Sequence, residues 1–145
     1  QVSEVHWRTP DAQHIAGELV AKLARERPAL AAIALTVNSS LLTALVNDGD
    51  PECVFARQVE ALGQRGDVLF AISTSGNSAN VNQAARVARE KGLQVIALTG
   101  KGGGQLASLA DVSVVIPSEN TQRIQEGHIA VGHILCDLVE VALFD

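Results

Sequence analysis

The chain has 145 residues, enough for one domain with a substantial core and too few for two. Its formal net charge of −5 argues against a nucleic-acid surface, which needs a basic stripe. Aromatic residues make up only 3% of the chain, so Ala, Val, Leu and Ile carry the apolar side, a mixture typical of strands buried on both faces under helices.

In chain order, residues 11–25 are predicted to form a helix, opened by Pro10 and Asp11. A strand over 31–37 follows, then helical stretches over 39–46 and 52–62. Residues 68–73 form the next predicted strand and 79–91 the next helix. A strand over 95–99, a short helix over 104–109 and a strand over 112–117 come after it. Gly63, Gly66, Gly92 and the cluster from Gly100 to Gly104 punctuate the turns. The last predicted helix, over 122–144, is apolar on nearly all sides through Ile124, Ile129, Val131, Ile134, Leu135, Leu138, Val139 and Leu143. A domain this small could hardly cover it alone, so a subunit interface is expected there. The alternation gives an α/β fold with a parallel sheet flanked by helices on both faces, as a single domain over 1–145.

Cys53 and Cys136 lie far apart, without zinc-like spacing and with no signal peptide ahead of them. They are expected to be buried small apolar residues in a cytoplasmic protein. No apolar run reaches the ~20 residues of a membrane span, so no membrane partner is expected.

The most informative stretch is the strand over 68–73 running into Ser73-Thr74-Ser75-Gly76-Asn77-Ser78 and then a helix. A helix start offers unpaired N–H groups and a positive dipole end, and four hydroxyls around Gly76 add donors without adding charge. The loop has neither a Lys after a Gly-rich run nor a three-Gly spacing, so a nucleotide is not the first expectation. Uncharged donors suit the monophosphate of a small metabolite. A bare helix cap at Ser75 or Asn77 would account for one of these residues, not for four hydroxyls in six positions. In parallel sheets ligands sit beyond the carboxyl ends of the strands, where this loop lies.

A second set of polar residues lies on the two outer helices. His14 and Glu18 stand four apart, on one helix face, the spacing that lets two side chains share a metal or a proton. Gln125, His128 and His133 interrupt the apolar surface of the last helix. Taken singly, His14 with Glu18 reads equally as an exposed helix pair, and His133 as a satisfied core histidine.

Four motifs, Asp11-Ala12-Gln13-His14-Ile15-Ala16-Gly17-Glu18-Leu19, Ile72-Ser73-Thr74-Ser75-Gly76-Asn77-Ser78, Leu98-Thr99-Gly100-Lys101 and Arg123-Ile124-Gln125-Glu126, occur in that order. Together they resemble the sugar isomerase (SIS) domain family, and within it the branch acting on seven-carbon sugar phosphates. The resemblance implies a flavodoxin-like three-layer fold. It also implies an aldose–ketose isomerisation of sedoheptulose 7-phosphate to D-glycero-D-manno-heptose 7-phosphate, toward the heptose of lipopolysaccharide or related glycans. Carried over by motif, Ser73, Thr74, Ser75 and Ser78 would hold the phosphate, and Asn47, Asp48 and Gln125 would contact the sugar. His14, Glu18, Gln125 and His133 match zinc-binding positions, and Glu18 and His133 match the acid–base pair. The family's homotetramer, with active sites at subunit interfaces, is the implied assembly.

On an ideal helix Gln125 and His133, eight residues apart, are separated by about 12 Å and offset by about 80°. They could meet one ion only if Gln125 sat at or before the helix start, or if the two served different subunits. The family pattern also has a first strand and an Asn-Gly-Gly-Ser loop before the Asp11 motif, and here Arg8-Thr9-Pro10 stands in that place. The expectation is therefore four identifiable strands, with the first strand and the Gly loop missing and residues 1–8 belonging to an earlier segment. Gly49-Asp50-Pro51 also departs from the family pattern. Two other readings are a non-catalytic relative that binds the bacterial replication initiator and a sugar-phosphate sensing domain. Retention of Glu18, His133 and the Ser-Thr-Ser run favours the enzyme over both.

Overall fold

A computed structural model of the chain describes residues 2–6 and 9–144, with side chains described over 11–144. The element order is β1 (Val2–His6), α1 (Thr9–Val20), β2 (Ala32–Ala34), α2 (Ser39–Asp48), a 3-10 turn (Pro51–Cys53), α3 (Ala56–Leu62) and β3 (Val68–Ser73). It continues with α4 (Ala79–Glu90), β4 (Gln94–Thr99), α5 (Gly104–Leu109), β5 (Val112–Val115) and α6 (Thr121–Phe144). The five strands form one sheet in the order β2-β1-β3-β4-β5, with every pairing parallel.

The expectation of four strands is corrected by β1, which pairs with β2 on one side and with all but the last residue of β3 on the other. A strand inside a parallel sheet usually reads as a continuous apolar run. Val2-Ser3-Glu4-Val5-His6 does not, which is why the sequence hid it. Residues 7 and 8, where the expected break before Asp11 would fall, lie outside the described residues.

Alternation along the central strands sorts the core into two layers. Leu69 and Ala71 of β3 and Val95 and Ala97 of β4 face a cluster containing Val59, Val81, Ala85 and Leu106 from α3, α4 and α5. Phe70, Ile72 and Leu98 face the opposite cluster, with Ile15 and Leu19 of α1 and Cys136 of α6. Helices thus cover both faces, with α1 and α6 together on one of them.

Several element ends differ from the sequence reading for physical reasons. The helix expected to reach Arg25 stops at Val20, and the N–H groups of Leu23, Ala24 and Arg25 are taken by a buried carboxylate described below. The helix expected over 52–62 is split. The Asp50 side chain accepts from Glu52 N at 2.9 Å and Pro51 opens a separate 3-10 turn, with α3 starting only at Ala56. β2 is a short edge strand of three residues, not seven.

The expectation about apolar runs also needs correction. Among the described residues, α6 is long and apolar enough by length and composition to cross a membrane. Here it packs on α1 and β4, with Ile124, His128 and Glu140 wholly buried. Its opposite side carries Ile134 and Leu138, each more than half exposed.

Candidate functional site

The strand order 2-1-3-4-5 reverses direction between β1 and β3, and ligands of such sheets sit in the crevice outside the carboxyl ends at that point. The connection from β3 to α4 leaves the sheet there, and α1 starts beyond the end of β1.

The β3–α4 loop is tied down from both sides. Ser73 is buried, and its hydroxyl lies 2.9 Å from that of Ser78, which closes the loop at its base. Gly76 donates to the Ser73 carbonyl at 3.1 Å with φ of +65°, and Asn77 N donates to Ser75 Oγ at 3.1 Å. Across the sheet edge, Gln105 N donates to Asn77 Oδ1 at 3.0 Å and Leu106 N to the Gly76 carbonyl at 2.9 Å. A Cβ on Gly76 would lie 1.9 Å from the Gly103 carbonyl oxygen, so only glycine permits this approach. Ser78 stands at the N-cap of α4 without a side-chain capping bond. Thr74, Ser75 and Ser78 are part-exposed. A loop held from both sides, with three part-exposed hydroxyls at the open start of a 12-residue helix, presents the kind of donors that a phosphate-sized anion would need.

Asn47 and Asp48 close α2 and are exposed. The segment after them reaches the serine loop, since Pro51 and Glu52 line one cleft together with Ser78, Ala79 and Asn80.

His14 and Glu18 of α1 meet His133 of α6. His14 Nε2 lies 2.8 Å from His133 Nε2 and 3.3 Å from Glu18 Oε1, and the two imidazoles meet edge to face with centroids 5.0 Å apart. One ligand atom from each of the three residues falls within 4.8 Å of the others. Two ring nitrogens at 2.8 Å cannot both carry hydrogen, so a shared proton or a cation satisfies them, with the carboxylate supplying negative charge. Two imidazoles and one carboxylate suit zinc and are the number of protein ligands found in open, catalytic zinc sites. The donor set therefore fits that ion.

Gln125 lies inside α6 and not ahead of it, so the first of the two ways it could join His133 at one ion does not apply. Two turns of helix separate them, about 12 Å along the axis.

Sequence reasoning passed over two buried features beside this cluster. Glu140, wholly buried, accepts from Leu23 N at 2.9 Å, Ala24 N at 3.2 Å, Arg25 N at 3.1 Å and Arg27 Nε at 2.9 Å. These donors, led by the Leu23 N–H and outweighing the opposing effect of burial, hold its carboxyl down to about 2. The signal available was an acid set between Val139 and Val141 in an apolar helix, which needs a partner wherever it is buried. His128 was noticed only as a polar interruption. It is wholly buried and its Nε2–H donates to the Thr99 carbonyl at 3.1 Å, at the end of β4. Burial pushes its imidazole below the ordinary range, against the opposing effects of that carbonyl and of Asp11.

Residues 9–100 match the family model of the SIS domain. The curated phosphoheptose isomerase of Pelobacter propionicus is 56% identical over 134 residues, spanning 92% of this chain and 71% of the relative. Among solved structures, a phosphoheptose isomerase from Neisseria gonorrhoeae superposes with a TM-score of 0.88 at 44% identity, covering 96% of this chain and 76% of that one. One from Francisella tularensis gives a TM-score of 0.90 at 38% identity, covering 96% and 75%.

Proposed function

The chain belongs to the SIS domain family, on its phosphoheptose isomerase branch, and from that premise we propose that it interconverts sedoheptulose 7-phosphate and D-glycero-D-manno-heptose 7-phosphate. The observation that carries this reading is the convergence of the Glu18 carboxylate with two imidazole Nε2 atoms, those of His14 and His133. A carbonyl shift between neighbouring carbons needs a group that takes a carbon-bound proton and one that moves a proton between oxygens. That constellation supplies both.

In the ketose-to-aldose direction Glu18 takes the proton from C1 and the electron pair passes into a C1–C2 double bond. His133 hands a proton to the C2 oxygen, giving the enediol. His133 then takes the proton from the C1 oxygen as the C1 carbonyl forms, and Glu18 returns its proton to C2. Nothing is consumed but the substrate. His14, Glu18 and His133 would hold a zinc ion, which when bound supplies Lewis acidity toward the sugar oxygens.

Thr74, Ser75 and Ser78 hold the phosphate with the start of α4, Ser73 braces the loop from beneath, and Asn47 and Asp48 bind sugar hydroxyls. Binding energy from the phosphate, remote from the reacting carbons, positions C1 and C2.

The working form in this reading is a cytoplasmic homotetramer feeding heptose into lipopolysaccharide or related glycans. Glu18 lies nine residues, about 13 Å, below the start of α1, which favours a site completed by a second copy of the chain. Gln125 reaches the sugar or ion of that neighbouring site. The exposed apolar side of α6 is the surface such a copy would cover.

The test is conversion of sedoheptulose 7-phosphate by the protein and by Glu18→Gln. Turnover by the parent protein, with most of it lost in Glu18→Gln while substrate binding persists, supports the assignment. Phosphosugar binding without any turnover would replace the enzyme with a sensor.

A further inference from the structure

Helix α1 ends two residues after Glu18, and beyond Ala21 N, which still donates to the Gly17 carbonyl, its end is not closed by its own backbone. In a continuing helix the N–H groups of residues 22 and 23 would serve the carbonyls of Glu18 and Leu19. Leu23 N instead donates to Glu140 Oε1, and the guanidinium of Arg27 takes over both carbonyls. Its Nη2 donates to Glu18 O at 2.8 Å and its Nη1 to Leu19 O at 2.8 Å, while its Nε donates to Glu140. Arg27 and Glu140 are 1% and 0% exposed at the side chain.

Glu140 follows His133 by seven residues, two turns of α6, so the two project from nearly the same side of the helix. Both grip α1. His133 meets His14 above, and Glu140, through Arg27, holds the backbone of Glu18 below. Removing either partner of a buried ion pair leaves an uncompensated charge, so this is a stiff connection.

Resting on the isomerase reading of Glu18 and His133, we propose that Arg27 and Glu140 are positioning residues, a buried strut that fixes where the Glu18 carboxylate stands relative to His133. Neither touches the reacting atoms in this assignment. Their effect passes through the Glu18 backbone.

Two variants separate positioning from mere stability. Arg27→Lys keeps the charge opposite Glu140 and loses the planar fork that reaches two carbonyls at once. Glu140→Gln keeps the shape and one acceptor. A third variant, Val59→Ala in α3, removes core volume on the far face of the sheet and calibrates the effect of destabilisation alone. Each is measured at a temperature where its melting curve shows it folded, for kcat and KM on sedoheptulose 7-phosphate and, separately, for zinc affinity by chelator competition.

The expected result is a fall in kcat of about tenfold or more in Arg27→Lys and Glu140→Gln, with KM changed by less than about threefold and zinc affinity reduced about tenfold. Val59→Ala leaves all three values unchanged. If Arg27→Lys, the variant most certain to fold, lowers the melting temperature yet keeps parental kcat and zinc affinity, the strut is structural only and the proposal is overturned. A parent protein without turnover would sink the isomerase reading, while the zinc titration would still decide whether the strut positions Glu18.

Discussion

Gly132 of α6 lies against Ile15 of α1 with no room for a side-chain carbon, since a Cβ there would stand 2.6 Å from Ile15 Cδ1. It lies immediately before His133, as Ile15 lies immediately after His14, so this contact sets how closely the two imidazoles approach. Gly132→Val should cost about 1–3 kcal/mol through overpacking, read as a lower urea midpoint at unchanged slope. It should also reduce turnover in the folded protein by separating the helices. Parental stability and turnover would mean that α1 and α6 do not need this proximity.

Ser75 illustrates how binding and bracing divide within the serine loop. Its Oγ already accepts from Asn77 N, which leaves the hydroxyl hydrogen free to donate outward. Ser75→Ala should therefore weaken binding of phosphorylated sugars by about 1–3 kcal/mol, the range for a hydrogen bond to a charged group. Isothermal titration with substrate reads this directly. Equal affinities for parent and variant would move the anion away from this hydroxyl.

The zinc assignment predicts an ordered loss. His14→Ala removes one of three converging donors and should lower zinc affinity at least tenfold in a chelator competition, with the melting temperature of the metal-free protein little changed, since His14 is exposed. Zinc binding insensitive to His14 would place any bound ion elsewhere.

The serine loop was legible because its chemistry is local: strand, hydroxyls, glycine and helix follow one another in the chain, and β3 and α4 begin where expected. The His14–Glu18 spacing was legible for the same reason, as a helix makes neighbours of residues four apart. That His133 joins them depends on how α6 crosses α1, which periodicity does not encode. β1 was hidden by its polar residues, and the early end of α1 by a carboxylate 117 residues from Leu23. Glu140 is one of three acids in α6 and reads, like the exposed Glu126 and Asp137, as an interruption of an apolar helix. Its burial follows only from the three consecutive N–H groups and the arginine that the turn after α1 turns toward it.

That carboxylate gives the fold a defined response to acid. The Glu140 carboxyl ordinarily titrates near 4.5 and is held down to about 2 in the folded chain, by the Leu23 N–H first, then by Ala24 N, Arg27 and Arg25 N. A group whose folded value is depressed contributes stability that is fully present above its unfolded value and is lost as pH falls through the folded one. The contribution should be constant above about pH 5.5 and should shrink between roughly pH 4.5 and 2. Other carboxylates titrate in the same window, so the comparison is between the parent and Glu140→Gln in urea unfolding at several pH values. The stability gap between them should be widest near neutrality and narrow steadily below pH 4.5, the glutamine variant having no proton to take up at that position. A gap independent of pH would mean that folding does not shift the Glu140 carboxyl, so that the three N–H groups and Arg27 do not favour its anion.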